Sequence, residues 1–198
     1  MTVQRFDVGT RLSEMAVYHG VCYLAGQVAG DATQDIRGQT QQVLAQVPAS
    51  RITAPHALIS LDAEVRVRHA RGQSLPDWLA MREGRFEVFP DGVALPETAA
   101  QIRELLSWAQ QQDVILIPYG GGTSVAGHIN PQASAKPVVT LSLERMTKLI
   151  ELDEQSLIAT FGPGANGPQV ESELRARGYT LGHYPQSWEL STLGGWVA

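Results

Sequence analysis

The segment Pro118 to His128, PYGGGTSVAGH, follows directly on the apolar run Val114-Ile115-Leu116-Ile117, and three consecutive glycines at the end of a strand restrict what this chain can become. Glycine reaches φ > 0 without steric cost and has no side chain to hold a ligand away. Gly120, Gly121 and Gly122 can therefore bend into a concave nest of backbone N–H groups that suits a phosphate. Thr123 and Ser124 add hydroxyl donors. The same residues also read as a tight turn that merely needs a flexible backbone. Two common phosphate loops do not fit. A Walker loop needs a lysine after its last glycine, where this chain has Thr123. A Rossmann fingerprint leads into a helix, and the path through Ile129-Asn130-Pro131 does not start one at the right place.

Charge sharpens this reading. With 15 Lys and Arg against 20 Asp and Glu, the net charge is -5 and no basic cluster marks a nucleic-acid footprint. Any phosphate is then held mainly by backbone amides. The single cysteine, Cys22, excludes an internal disulfide and is expected in the core. Without paired Cys/His spacing, no metal site is expected. Met1 to Val8 carries Gln4, Arg5 and Asp7 and lacks the apolar stretch of a signal peptide. No run approaches the roughly 18 apolar residues of a membrane span. A soluble, cytoplasmic protein is the expectation, with peripheral membrane contact left open.

An apolar fraction of 43% in 198 residues suffices for a packed core. Met15–Tyr18 and Val21–Ala25 are rich in β-formers and flank His19-Gly20, which predicts a hairpin. Ile36, Val43, Leu44 and Val47 recur at helical spacing until Pro48. Between residues 49 and 90, the charges Asp62, Glu64, Arg66, Arg68 and Arg71 read as a solvated face, and Leu75–Met81 as a short helix after Pro76. From Phe89 onward, strands alternate with helices. Thr98 and Gln101 predict a capping box for a helix ending near Gln111, with Ile102, Leu105, Leu106 and Ala109 on its buried face. Val114–Ile117 reads as a buried strand. Val138–Leu141, Leu149–Leu152 and Leu157–Phe161 read as further strands. Pro168 suits the start of a helix through Val170 and Leu174, and Gly178 its C-terminal cap. The fold class is α+β.

Five segments in order carry a resemblance: DAEVRVRHARGQSLPDWLAMREGRF (Asp62–Phe86), FPDGVALPET (Phe89–Thr98), PYGGGTSV (Pro118–Val125), LIELDEQSLIATFGPG (Leu149–Gly164) and GYTLGHYPQSWELSTLGGWVA (Gly178–Ala198). From about Ser60 to Ala198 the chain resembles the PCMH-type FAD-binding domain of the vanillyl-alcohol oxidase superfamily, most closely flavoproteins of the alkyldihydroxyacetonephosphate synthase type. The resemblance implies that Pro118, Tyr119, Gly120, Gly121, Gly122, Thr123 and Ser124 wrap the FAD pyrophosphate. It implies a second flavin segment of Gln186, Ser187, Trp188, Glu189, Leu190, Ser191 and Thr192, with Gly194 and Gly195 letting the backbone run close to the cofactor. Relatives that tether FAD covalently through this loop place histidine where this chain has Gly122, so non-covalent FAD is implied. His128 is expected at the surface or behind the contact residues. His183 matches the family's Gly-His-x-Pro segment, for which a structural and a catalytic role are both open.

The opening residues, Arg5 to Val47, resemble a different family. YLAGQV (Tyr23–Val28) and DIRGQTQQVL (Asp35–Leu44) are similar to the first half of a RidA/YjgF domain, whose members hydrolyse enamines and imines as trimers. The substrate-binding arginine of that family lies in a second half that is absent here. Three parts follow: a partial RidA-like segment over 1–47, a lead-in of the flavoprotein family over 48–88, and an FAD-binding domain over 89–198 that is C-terminally truncated relative to the family. The implied function is the FAD-holding portion of an enzyme of ether-lipid synthesis or of an FAD-linked oxidase, with a small-molecule or lipid substrate only in an intact relative. A RidA-like deaminase or trimeric module, and a fusion fragment without function, are the alternatives. No catalytic residue is assigned.

Overall fold

The computed structural model describes residues 4–8, 13–18, 21–24, 33, 35–45, 47–82 and 88–198, the first three ranges by backbone alone. Strands β1 (Gln4–Val8), β2 (Ser13–Tyr18) and β3 (Val21–Leu24) form an antiparallel sheet in that order. The β2–β3 register pairs Tyr18 with Val21, which is the predicted hairpin, while β1 has no sequence signal strong enough to be read. The turn residues His19-Gly20 and the side chain of Cys22 lie outside the described residues. Helix α1 (Ile36–Leu44) follows, as its spacing predicts.

A four-stranded sheet comes next, with β4 (Ile59–Ser60), β5 (Gly92–Ala94), β6 (Ile115–Tyr119) and β7 (Val138–Ser142) in the order β4-β5-β7-β6. The chain leaves β5, crosses through α4 (Ala99–Gln111) to the edge position of β6, and returns to fill the centre with β7. β5, β7 and β6 are mutually parallel, so the carboxyl ends of β6 and β7 open on the same side. Ligands of open α/β sheets bind at such ends. Every residue of β7 is buried, as expected of a strand covered on both sides. β6 begins at Ile115 and is partly exposed, contrary to the buried strand expected at Val114–Ile117. Its apolar run reflects an edge position packed on one face only.

Helix α4 buries Leu105 against Ile59, Ala94, Val139 and Leu141, and Ala109 is buried as well. Leu106 is 52% exposed, not buried as the spacing predicts. Trp108 joins the core beside Leu105, which turns the packed stripe away from Leu106 and leaves that residue on the rim. The cap also differs in detail. Thr98 Oγ1 accepts from Gln101 N at 3.2 Å, but Gln101 Oε1 accepts from Glu97 N at 2.6 Å, one residue before the cap.

The charged stretch from Asp62 to Arg71 is not one solvated face. Asp62 caps helix α2 (Ala63–Arg68), and Glu64 pairs with Arg68 outside. Arg66 is instead buried, donating to Pro90 O at 2.6 Å and Pro48 O at 2.7 Å. Burial pulls its pKa down, which the negative charge of Asp91 partly offsets. Asp91 is itself buried and receives Arg51 Nε at 2.9 Å, Arg51 Nη2 at 2.7 Å and Val138 N at 2.8 Å. These two arginines fasten residues 48–51 to the sheet. Helix α3 (Leu75–Arg82) starts one residue before Pro76, where a missing N–H costs nothing.

A second, smaller layer pairs β8 (Leu149–Asp153) with β9 (Ile158–Phe161) antiparallel. Leu157 precedes β9 in a left-handed turn at φ 56°. Helix α5 (Gly167–Arg175) packs Val170 and Leu174 on Phe161 and Ala165. Its N-terminus is closed by a reciprocal box: Asn166 Oδ1 accepts from Gln169 N at 3.0 Å, and Gln169 Oε1 accepts from Asn166 N at 3.0 Å. Gly178, at φ 84°, ends the turn after α5. The short helix α6 (Leu193–Val197) closes the described chain.

Candidate functional site

The glycine loop leaves the carboxyl end of β6 and turns back on itself at Gly122, whose φ is 72°. None of the backbone N–H groups from Gly120 to Ser124 donates to an acceptor among the described residues. Gly122 is buried and Gly120, Thr123 and Ser124 are half-buried, and since amides in such places are nearly always paired, their unpaired donors suit an external acceptor. The loop lies against the second predicted segment. A Cβ on Gly121 would overlap the carbonyl oxygen of Leu190, and one on Gly120 would overlap Thr192 Oγ1. Only glycine permits this approach.

A cleft of about 420 Å³ opens along the loop, lined by residues 120–126 together with His128, Ile129, Ser191, Thr192, Gly195 and Ala198. A second, about 380 Å³, lies on the other side of Gly120 and Gly121, where Arg68, His69, Tyr119, Glu144, Asn166 and Leu190 contribute. Thr192 borders both. Its hydroxyl is buried and has no hydrogen-bond partner among the described residues. Ser191 differs: its hydroxyl donates to Gln186 O at 3.2 Å and accepts from Trp196 Nε1 at 2.8 Å.

The remaining predicted residues stand behind these. Pro118 lies in β6 opposite Leu141. Ser187, at φ 57°, offers its carbonyl to Leu190 N at 2.8 Å and Ser191 N at 2.7 Å, shaping the turn that presents Thr192. Trp188 covers Gly167 at the start of α5, and Glu189 O accepts from Asn166 Nδ2 at 3.2 Å. Gly194 packs on Pro163, whereas Gly195 faces the cleft. His183 sits edge-on to Trp196 with ring centroids 5.9 Å apart.

The loop is held from behind by residues that carry no local motif. Ser124 O accepts from Gln73 N at 2.8 Å. Gly72 N donates to Asn130 Oδ1 at 2.8 Å, and Asn130 Nδ2 donates to Asp77 Oδ1 at 2.5 Å. Asp77 Oδ2 also accepts from Ser74 Oγ at 2.5 Å and Ser74 N at 3.1 Å, with Arg71 Nη1 at 3.6 Å from Oδ1. Burial raises the Asp77 pKa, but the hydrogen bonds from Ser74 and Asn130 and the Arg71 charge outweigh it, so the carboxylate stays ionised. This buckle fixes both ends of the turn that follows the glycines. On the opposite side, the Tyr119 ring packs at a tilt of 54° against His69, with centroids 4.7 Å apart, and its hydroxyl blocks the Cβ direction of Gly122. Burial, and then the charge of Glu144, push the Tyr119 pKa up and keep it a neutral phenol. Asp77 and Asn130 stand 53 residues apart in the chain, which is why local pattern does not expose them.

Among the described residues, no group of three His, Cys, Asp or Glu side chains is placed to hold a metal, and no helix is long and apolar enough to cross a membrane. The donor set is neutral, concave and composed of N–H and O–H groups. It suits the oxygens of a diphosphate.

The family described as FAD binding domain matches residues 90–198, more than half of the chain. Alkyldihydroxyacetonephosphate synthase of Dictyostelium discoideum is 36% identical over 137 residues, covering 69% of this chain and 22% of that protein. A RutC family protein of Haemophilus ducreyi is 49% identical over 45 residues, covering 23% of this chain and 38% of that protein. A solved structure of alkyldihydroxyacetonephosphate synthase superposes with a TM-score of 0.72 at 29% identity, over 78% of this chain and 32% of that one. The chain thus spans less than a quarter of the length of the curated synthase it matches.

Proposed function

The chain belongs to the FAD binding domain family, and on that premise we propose that it holds FAD without a covalent tether, seating the diphosphate on the amides of Gly120 to Ser124 opposite Leu190 to Thr192. The observation that carries this is the row of five N–H groups without an acceptor among the described residues. Hydrogen bonds to a charged acceptor contribute roughly 1.5–3 kcal/mol each, so a few of them hold a diphosphate without lysine or arginine. The Thr192 hydroxyl, buried and unpartnered, is a further donor to the same group. Gly195 lets the backbone pass close beside the cofactor. When bound, FAD supplies the electron-accepting and carbon-bonding chemistry, while the protein positions and shields it. Gly122 offers no side chain for a covalent link, and Tyr119 fills the direction in which one would extend.

For the reaction class, we assign the chain to the cofactor-holding part of an alkyldihydroxyacetonephosphate synthase-type enzyme of ether-lipid synthesis, with an FAD-linked oxidase as the alternative. The 36% identity to the Dictyostelium discoideum synthase supports the first. A cytoplasmic location, with the membrane reached only peripherally, accompanies this reading. The test is reconstitution: the purified protein takes up FAD, gains flavin absorbance, and releases all of it to the supernatant on acid precipitation. Flavin retained in the precipitate contradicts the non-covalent assignment, and no uptake contradicts the site.

A second reading concerns residues 1–47. The 49% identity to a RutC family protein, together with an antiparallel sheet followed by α1, favours a RidA-like half-domain that completes itself by association. Size-exclusion mass and an imine-hydrolysis assay decide it. A trimer is expected, and a monomer without activity rules the reading out.

A further inference from the structure

Among the described residues, the 420 Å³ cleft is lined by no Lys, Arg, Asp or Glu side chain, and His128 is the one ionisable side chain on its wall. His128 is not loosely placed. Gly127, at φ 73°, turns the chain, Asn130 N donates to Gly127 O at 3.1 Å, and Ile129 is buried immediately after. Asn130 is fastened in turn to Gly72 and Asp77. The His128 ring is thereby brought to Ser124, with Nδ1 2.9 Å from Ser124 Oγ. Gly127 N donates to the same oxygen at 3.2 Å.

A hydroxyl has two acceptor sites and one proton. Gly127 N–H takes one acceptor site. If Nδ1 also donates, both are filled and the Ser124 proton must point elsewhere, and the open direction is the cleft. If Nδ1 accepts instead, that proton is used up on the ring and the cleft loses a donor. We propose that His128 is a positioning residue that donates from Nδ1 to Ser124 Oγ, so that the Ser124 hydroxyl is directed at a phosphoryl oxygen of the diphosphate. The inference rests on the flavin reading above and adds to it a residue that acts through Ser124. The two tautomers make opposite predictions when the ring is removed, which makes the pair testable.

The experiment measures dissociation constants of FAD, ADP and riboflavin for the wild-type chain and for His128→Ala, His128→Asn, Ser124→Ala and the double variant Ser124→Ala/His128→Ala. Expected is an affinity for FAD and for ADP about fivefold weaker in His128→Ala, the size of part of one charge-assisted hydrogen bond. Riboflavin, which lacks the diphosphate, is unaffected. His128→Asn, which can place an N–H near the position of Nδ1, recovers most of the loss. In the Ser124→Ala background, removing His128 causes no further loss, because there is no hydroxyl left to orient. Unchanged or tighter FAD binding in His128→Ala, or losses that add in the double variant, overturn the proposal while leaving the flavin site standing. A wild-type chain that binds neither FAD nor ADP overturns both.

Discussion

Two glycine-containing turns in this molecule gather backbone N–H groups, and they are completed in opposite ways. At Thr180-Leu181-Gly182, the carboxylate of Glu171 reaches out of α5 and accepts from Leu181 N at 3.0 Å, Gly182 N at 3.1 Å and Thr180 Oγ1 at 2.9 Å, with Arg175 Nε at 3.1 Å on its flank. At Gly120 to Ser124 no amide donates to a carboxylate or carbonyl among the described residues, and the loop lines a cleft. Both turns are concave arrays of donors, and such arrays favour an anion. One carries its own. The other finds no acceptor among the described residues, and the buckle of Asp77 and Asn130 holds it from behind. On the reading proposed above, the first turn contributes to stability and the second to binding.

The strongest way to break this contrast is Gly121→Val. Its Cβ would overlap Leu190 O, which separates the loop from the second segment. Titration with FAD is expected to show loss of binding by about a hundredfold or more, equivalent to two or more charge-assisted hydrogen bonds. The exposed Glu154→Ala serves as the control and leaves affinity unchanged. If Gly121→Val binds as the wild type does, the loop is not the site.

Next comes Asn130→Ala, which leaves Gly72 N and Asp77 Oδ1 without their partner. Leaving such buried groups unsatisfied costs about 1–3 kcal/mol each at most, so chemical denaturation should show a loss in this range, accompanied by weaker FAD binding. Full stability with full affinity would remove the buckle from the account.

Glu171→Gln separates the two turns. It is expected to lower the thermal midpoint of the FAD-free protein while leaving the FAD dissociation constant unchanged; a change in affinity instead would join what the comparison holds apart. The same residue gives a pH signature. Burial raises the Glu171 pKa, but hydrogen bonds from Thr180, Gly182, Arg175 and Leu181 outweigh it, and the folded value lies below 4.5. A depressed carboxylate binds fewer protons folded than unfolded, so its contribution is complete above 4.5 and is lost as pH falls through the folded value. Unfolding free energy measured across this acidic window should therefore fall less steeply in Glu171→Gln than in the wild type. Equal slopes would show that this carboxylate carries no linkage.

The parts of this architecture that could be read from the sequence are those with short-range signals. The glycine loop after an apolar strand, the Thr98 cap, the β8–β9 pair and the Pro168 start of α5 each announce themselves within a few residues. The sheet order, which inserts β7 between β5 and β6, has no such signal. The charged residues between 62 and 71 show the limit most plainly. Their alternation reads as solvent-facing, yet Arg66 is buried because two carbonyls, at Pro48 and Pro90, meet its guanidinium from 18 and 24 residues away. Leu106 errs the other way: its spacing fits the apolar stripe, and only the packing of Trp108 shows where that stripe is centred. Within the candidate site, the glycine loop of residues 120–124 and the facing segment 190–192 were legible. The supports Gly72, Asp77 and Asn130 were not, since a hydrogen bond between distant polar residues leaves no local periodicity.

Amide hydrogen exchange with and without saturating FAD tests the central claim most directly, because it reads the N–H groups themselves. The account predicts that Gly120 to Ser124 exchange readily in the free protein and become strongly protected on adding FAD or ADP, while Leu181 and Gly182, already held by Glu171, are protected in both states. Protection by FAD that falls elsewhere and leaves residues 120–124 exchanging as before would contradict it.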